Sequence, residues 1–255
     1  MNHLKKLFTI LIFGCYIIAA DKSYKIVSTD IQSFIKQDGS IDFIENREFD
    51  FTGSYTYVYQ DIPKKGFDQI YDIQVSANNI PFINSDSKEA GTFIIQERNS
   101  YYRIYLYHKS QDETKLFTVK YSLRQPFTVG PNDSQFYWIY LSDKWDKRPG
   151  SLAISQTFVS QISEKDITYQ LERPSSSKDY TLNIDGSTLS FRSNDFSSST
   201  EMKLRTIFPS SYFVDVEINN ENFSLAALEE KKRNKELVQY FIGFLALFSI
   251  VSFIS

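Results

Sequence analysis

The sequence has few of the residues that build metal centres and covalent crosslinks. Among 255 residues there is one Cys, Cys15, and there are two His, His3 and His108. One Cys excludes an intrachain disulfide framework and a Cys-based zinc site. Charge is nearly balanced, with 28 basic and 31 acidic residues and a net charge of −3. Nucleic-acid binders need an excess of Lys and Arg to displace counterions, so we expect no nucleic-acid partner.

The motifs of common catalytic and cofactor sites are also absent. The sequence contains no G-x-S-x-G, H-E-x-x-H or P-loop pattern. Glu45 and Glu48 are three residues apart on a predicted strand, so they lie on opposite faces and make a poor acid–base pair. His108 ends an alternating segment, where an ordinary strand imidazole is expected. We therefore expect a non-enzymatic protein without a cofactor.

One weak metal candidate remains. Asp143 and Asp146 flank Trp145 and offer two carboxylates to a Ca²⁺ ion. Ca²⁺ takes at least about six oxygen ligands, and only these two carboxylates are evident. The alternative is turn chemistry, in which Ser142 and Asp143 bend the chain after a strand.

The N-terminus has the three parts of a secretory signal. Lys5 and Lys6 precede an apolar segment, Leu7 to Ile18, and the small residues Ala19 and Ala20 follow it. This pattern predicts a signal peptide over residues 1–20. An uncleaved anchor is one alternative, because Ile18 is bulky for a cleavage site. Lipidation of Cys15 is another, although the segment around it matches a lipoprotein signal poorly.

The C-terminus carries a second membrane signal. Leu237 to Ile254 is 18 residues long and uncharged. At about 1.5 Å per residue it reaches roughly 27 Å, close to the hydrocarbon thickness of a bilayer. We therefore predict a transmembrane helix over 237–254, with the lipid bilayer as its partner, and a helical juxtamembrane segment over 214–236. A buried soluble helix is the alternative, but such helices usually carry polar residues on one face.

The topology implied by these two signals is a single pass with an exported domain. Lys231, Lys232, Arg233 and Lys235 precede the predicted span, which by the positive-inside rule favours the opposite orientation. Long translocated domains cross largely regardless of charge. We therefore expect the folded domain on the extracytoplasmic side.

The segment between the two signals, residues 21–213, is typical of β-structure. Ile41, Phe43, Phe49 and Phe51 alternate with polar residues, and similar runs recur along the chain. The further runs are Tyr71, Ile73 and Val75; Tyr102, Ile104 and Leu106; and Phe117, Val119, Tyr121 and Leu123. Turn signals separate the runs at residues 37–40, 77–79, 130–133 and 185–187. The pattern predicts an antiparallel β-sandwich; whether it is one unit or two lobes that meet at 149–150 or 174–175 stays open.

Several short motifs resemble one family. The motifs occur in a fixed order along the chain. First comes Asp38-Gly39-Ser40, followed by a strand with Glu45, and then come Phe51-Thr52-Gly53 and Tyr59-Gln60-Asp61-Ile62-Pro63. The series ends with the aromatic segment that contains Trp138, then Trp145, and a strand that ends at Pro209. The series is similar to the exported N-terminal domain of YciQ-like predicted bacterial membrane proteins, a family of unknown function. Gln60 stands where that family usually has Arg. Family members commonly continue into further spans, so any role of those parts is not carried over, and the resemblance implies no activity.

The sequence is rich in aromatic residues, with 17 Tyr and 22 Phe. Tyr55, Tyr57 and Tyr59 share one face of an extended segment, and Trp138 and Tyr140 share a face of another. These residues are candidates for an exposed platform, although aromatic residues on strands more often fill the core. We expect a structural or protein-interaction module at the bacterial cell envelope, with a membrane or envelope protein as partner. The alternative is a glycan- or peptide-binding module that uses exposed aromatics.

Overall fold

The computed structural model describes residues 22–142, 147–172, 179–194 and 201–254, with side chains up to residue 242. Within these ranges the chain forms sixteen strands and one α-helix: β1 (Ser23–Ile35), β2 (Ser40–Thr52), β3 (Ser54–Pro63), β4 (Gln69–Ala77), β5 (Ile80–Pro81), β6 (Ile83–Asn84), β7 (Thr92–Glu97), β8 (Tyr101–Gln111), β9 (Thr114–Arg124), β10 (Phe127–Val129), β11 (Asp133–Leu141), β12 (Pro149–Phe158), β13 (Thr168–Glu172), β14 (Tyr180–Asp185), β15 (Thr188–Ser193), β16 (Met202–Pro209) and α1 (Leu225–Ile254). The predicted signal peptide, residues 1–20, lies outside the described residues.

The prediction of a mainly β fold is confirmed. Each predicted turn connects two strands. The turn after β1 depends on Gly39, whose φ of +77° is unfavourable for other residues, and on Asp38, whose Oδ1 accepts hydrogen bonds from the backbone N–H and the hydroxyl of Ser40. In the turn after β4, Asn78 and Asn79 both have positive φ, as a tight hairpin turn requires.

The strands form three sheets. Sheet A has the order β14-β15-β12-β1-β2-β9-β4-β5, sheet B the order β3-β8-β7-β6, and sheet C the order β10-β11-β16-β13. The predicted antiparallel pairing is found for most of the described strand pairs, but β1 pairs in parallel with β12 and β6 with β7. Alternation of apolar residues does not distinguish the two pairings, since side chains point to opposite faces in both. Pro149-Gly150 starts β12 in the middle of sheet A and therefore marks no boundary between lobes.

Sheets B and C both cover one face of sheet A. The odd-numbered residues of β2 from Ile41 to Phe51 are all buried on this face. Phe43 contacts Trp138 of sheet C, with ring centroids 5.3 Å apart. Phe51 contacts His108 of sheet B at 5.3 Å. One hydrophobic cluster thus joins the three sheets, and β2 lies beneath the seam between sheets B and C.

The alternation predicted for β9 is also confirmed, since Phe117, Val119, Tyr121 and Leu123 are all buried. The alternation predicted for β4 is interrupted. A register shift between Tyr71 and Gln74, with Asp72 at a φ of +53°, places Tyr71 outside the hydrophobic cluster while Ile73 packs against it. A bulge of this kind adds a residue to one strand and reverses the faces on either side.

After a single 3₁₀ turn at Ser210–Tyr212, the segment between β16 and α1 packs against the domain instead of forming a helix. The side chain of Asn219 accepts a hydrogen bond from Val129 N–H and donates one to the Phe127 carbonyl. Gly130 fits there because a Cβ on it would lie 2.2 Å from the Phe223 carbonyl oxygen. The helical part of the predicted juxtamembrane segment therefore begins only at Leu225.

The start of α1 is bonded to the β-domain. Leu225 N–H donates to the Asp133 carboxylate at 2.9 Å, and Ala227 N–H donates to the Ser224 hydroxyl at 3.1 Å. These acceptors satisfy amides that have no partner inside the helix, and a carboxylate there is favoured by the helix dipole. In the part of the chain that the structure describes, no helix is both long and apolar enough to cross a membrane.

His108 lies on the buried side of β8. Its ring contacts Phe51 and Phe117, and its Nδ1 is 2.7 Å from the Ser110 hydroxyl. Burial, with a smaller contribution from the charge of Lys115, lowers the pKa of His108 to about 4. The side chain is therefore neutral in the folded protein at pH 7.

We predict that His108 makes the fold sensitive to mild acid. Its pKa is about 6.5 in the unfolded chain, so as pH falls from about 6.5 to 4 the unfolded state binds a proton that the folded state does not. The free energy of unfolding should fall by roughly 2 kcal/mol more in the natural protein than in His108→Leu between pH 7 and pH 4.5. Urea unfolding at both pH values measures this difference. Equal losses in the two proteins would contradict it.

Candidate functional site

A cavity of about 400 Å³ lies at the seam where the three sheets meet. Its floor is sheet A, which contributes residues of β1, β2 and β9. One wall is β3 of sheet B, and the other is the end of β11 in sheet C. The lining runs from exposed residues such as Lys22 and Thr56 to fully buried ones such as Ile31 and Tyr121. This volume is within the usual range of ligand sites, about 300–1,000 Å³.

The floor contains a buried ion pair. Arg47 Nη2 is 2.8 Å from Glu45 Oε2, and both side chains are at most 10% exposed. The Tyr121 hydroxyl donates to Glu45 Oε1 at 2.6 Å. Burial, and next the Glu45 charge, raise the pKa of Tyr121 well above its usual value, so its hydroxyl remains a donor. Two hydrogen-bonded partners thus compensate the loss of hydration of the Glu45 carboxylate.

A second polar network positions Tyr140 in the wall of the cavity. Its hydroxyl accepts a hydrogen bond from Gln156 at 2.8 Å and is 3.4 Å from the Ser33 hydroxyl. Gln156 in turn accepts a hydrogen bond from Thr206. Burial raises the pKa of Tyr140, which keeps the hydroxyl protonated. The network connects sheet A to sheet C, because it joins β1, β11, β12 and β16.

The cavity mouth carries two lysines that rest on aromatic rings. Lys22 Nζ is 4.3 Å from the centroid of the Tyr55 ring, and Lys147 Nζ is 5.9 Å from that of Tyr24. Tyr24 and Tyr55 contact each other edge to face at 5.7 Å. Cation–π contacts hold ammonium groups at an aromatic surface without neutralising their charge. The mouth is therefore both aromatic and positively charged.

The outer side of sheet B presents four tyrosines, Tyr57 and Tyr59 of β3 and Tyr105 and Tyr107 of β8, which we name the tyrosine face. Tyr57 pairs with Tyr107 and Tyr59 with Tyr105. Neighbouring ring centroids are 5.8 to 6.2 Å apart. Tyr57 is 48% and Tyr59 39% exposed. The Arg103 guanidinium lies 4.0 Å above the Tyr59 ring and pairs with both oxygens of Asp61 at 2.7 Å.

The candidate platform residues therefore lie on different surfaces. Tyr57 and Tyr59 are exposed, whereas a register shift between Tyr55 and Tyr57 turns Tyr55 towards Tyr24 and Phe51. Trp138 and Tyr140 are only 6% and 3% exposed and face the core. They therefore belong to no exposed platform, because alternation along β11 directs both of them inward, where they line the cavity.

About half of the residues in the family-like motifs lie together at the cavity. Glu45, Tyr59, Ile62, Pro63 and Trp138 all line the cavity. The others lie in turns or at strand ends: Asp38 and Gly39 between β1 and β2, Gly53 between β2 and β3, and Pro209 at the end of β16.

Trp145 and both aspartates of the weak calcium candidate, Asp143 and Asp146, lie outside the described residues. Where the structure is described, no cluster of three or more His, Cys, Asp or Glu side chains is placed to hold a metal ion.

The sequence alone did not identify Arg47, Tyr121, Lys22 or Lys147 as site residues. A signal existed for Arg47, which takes an odd position of β2 together with Glu45, between Phe43 and Phe49. Two opposite charges in the buried register of an amphipathic strand are expected to pair. Lys22 and Lys147 carried no such signal. They lie at the cavity mouth only because three sheets pack together there, and no local sequence pattern shows this packing.

Comparison with known proteins finds a match to one protein family. The family model described as "Predicted membrane protein (DUF2207) N-terminal domain" matches residues 25–208. No curated protein matches the sequence.

Solved structures resemble the chain only distantly. One is a Legionella pneumophila protein whose name gives it a provisional nutrient-binding role, with a TM-score of 0.45 and 12% identity over 72% of this chain and 67% of that one. Another is an M1 zinc metallopeptidase from Deinococcus radiodurans, with a TM-score of 0.38 and 7% identity over 73% of this chain and 43% of that one. Neither similarity is close enough to inform function.

We predict that removing one partner of the buried Glu45–Arg47 ion pair destabilises the fold more than removing both charges. Arg47→Met should lower the free energy of unfolding by about 3 kcal/mol, because Glu45 is left buried without its counter-charge. The double variant Glu45→Gln, Arg47→Met should be at least about 1 kcal/mol more stable than Arg47→Met, because Gln remains an acceptor for Tyr121. Lys25→Met, which breaks the exposed pair with Asp50, serves as the control and should cost under about 0.5 kcal/mol. Urea unfolding tests all three, and a double variant no more stable than Arg47→Met would disprove the interpretation.

Proposed function

The chain belongs to the DUF2207 family of predicted membrane proteins, whose N-terminal domain it contains, and on this basis we propose that it is a membrane-tethered interaction domain of the cell envelope. The domain binds a segment of a protein partner in the cavity between the three sheets. No catalytic step is part of this proposal. The series of motifs from Asp38 to Pro209 supports the finer proposal that the chain is a YciQ-like protein.

The proposed topology is a single pass with the β-domain outside the cytoplasm. Residues 1–20 direct export, and the apolar sequence from Leu237 to Ile254 anchors the chain in the bilayer. Leu225 is bonded to Asp133 of the domain, so α1 starts directly at the β-structure without a free linker. Its residues 225–236 separate the domain from the start of the proposed span by about 18 Å of helix, at about 1.5 Å per residue.

The cavity is the observation that carries the proposal. It combines aromatic side chains with a few positioned polar groups, which is typical of binding sites. Aromatic residues dominate interface energetics because they bury a large area with little loss of conformational entropy. The Glu45 carboxylate on the cavity floor is already paired within the protein, with Arg47 and Tyr121, so a ligand need not supply it with a partner.

We predict that a photoreactive residue at the cavity captures an exported protein. Ser100 is exposed and lines the cavity, whereas Thr181 of β14 is exposed but distant from it. A photoreactive phenylalanine analogue at Ser100, irradiated in intact cells, should give one adduct, identified by mass spectrometry, that the same analogue at Thr181 does not give. Equal adducts from the two positions would contradict a cavity-specific partner. Adducts with cytoplasmic proteins would contradict the topology.

A second candidate function is glycan binding at the tyrosine face. Exposed rings on a flat sheet stack on the apolar faces of sugars. Tyr57 and Tyr59 offer such rings next to Arg103, whose pKa is raised by its hydrogen bonds with Asp61, so that it remains charged. Tyr57 and Tyr59 also line the cavity, so this surface adjoins the cavity at the edge of β3 and is separate only from the floor on sheet A.

For this candidate we predict that Tyr57→Ala and Tyr59→Ala each weaken retention of the full chain on immobilised peptidoglycan about fivefold, as loss of a ring contact of roughly 1 kcal/mol implies. Tyr169→Ala is the matched control, since Tyr169 is similarly exposed, at 40%, on sheet C. Retention that is unaffected by the first two substitutions, or absent in the natural protein, would exclude the tyrosine face as a glycan site.

A further inference from the structure

β3 is an edge strand whose free side faces the cavity. It pairs with β8 on one side only, and no other described strand pairs with it. Consecutive residues from Tyr55 to Tyr59, which point to both faces of the strand, all line the cavity. A cavity lined by both faces of a strand runs along its edge. Backbone N–H and C=O groups of alternate β3 residues therefore point into it.

β3 is also unusually long and unprotected for an edge strand. It has ten residues, whereas the other described edges of the three sheets, β5, β6, β10, β13 and β14, have two to six. Natural proteins usually shorten exposed edges or place charges and prolines on them. β3 has no charge before Asp61 and no proline before Pro63. Within residues 54–60 its one protective feature is the register shift between Tyr55 and Tyr57.

The charges around this edge favour an anionic occupant. Each carboxylate among the described lining residues is paired with a cation of the protein itself: Glu45 with Arg47, Asp61 with Arg103 and Glu201 with Lys203. Lys22 and Lys147 also line the cavity, and neither has a carboxylate partner among the described residues. The charge left for a ligand is therefore positive.

We propose that the occupant is an extended acidic peptide segment, which adds to β3 as a fifth strand of sheet B and directs its carboxylates to Lys22 and Lys147. The inference rests on the proposed function and names the class of partner segment. Strand addition supplies main-chain hydrogen bonds for affinity, and pockets for alternate side chains supply specificity. A sugar chain lacks the regular series of backbone donors and acceptors that matches a strand edge.

The experiment uses the full chain in detergent and three fluorescent eight-residue peptides. These alternate valine with glutamate, glutamine or lysine. By fluorescence anisotropy the glutamate peptide should bind most tightly and the lysine peptide least. The double variant Lys22→Gln, Lys147→Gln should weaken binding of the glutamate peptide about fourfold and leave the glutamine peptide unchanged, since exposed charge pairs contribute a factor of about two each.

Lys120→Gln is the matched control, because Lys120 lies exposed on the opposite face of sheet A, and it should change neither affinity. Amide hydrogen exchange resolved to single residues locates the peptide. Exchange should slow at alternate amides of β3, those that point into the cavity.

Equal binding of the three peptides, or slowed exchange outside β3, would overturn the inference. Slowed exchange in β3 that appears without peptide as protein concentration rises would show instead that a second copy of the chain occupies the edge. A partner captured at Ser100 together with no peptide binding would leave the interaction function standing and remove strand addition. Binding of the glutamate peptide at β3 without any captured partner would support strand addition at β3 and contradict the proposed interaction with a protein partner in the cell.

Discussion

The structure depends on how one strand, β2, is covered. Its buried face is continuous from Ile41 to Phe51, but the layer above it consists of two sheets that share no strand. Sheet C covers one end and sheet B the other, so a seam crosses the middle of β2. Glu45 and Arg47 lie at this point, where packing against a single sheet is not available. Their pairing allows a charged pair to remain on an otherwise apolar face.

The same seam gives the domain its cavity and links that cavity to the start of α1. β11 carries Trp138 and Tyr140 to the cavity wall, and its first residue, Asp133, accepts the hydrogen bond from Leu225. A single nine-residue strand thus spans the distance between the candidate binding site and the start of α1.

Much of the fold was readable from the sequence, because alternation and turn chemistry are local. The faces of β2 and β9 and the turns at Gly39 and Asn78 follow from patterns within a few residues. The inward direction of the Tyr55 side chain could not be predicted from such a pattern, since it depends on a register shift that adds one residue. The parallel pairing of β1 with β12, and the meeting of three sheets at the cavity, are long-range properties that no local pattern encodes. The candidate site was therefore predicted only in fragments.

The pairing of β1 with β12 also sets an order of assembly. Ile31 pairs with Ile154, so the first strand of the domain cannot complete its pairing until more than half of the chain has been made. A chain synthesised from its N-terminus must hold the β1–β2 hairpin with an open edge during that interval. Non-local parallel pairing is slow to form and exposes edges to aggregation. The arrival of β12 is therefore the step that covers the open edge of β1.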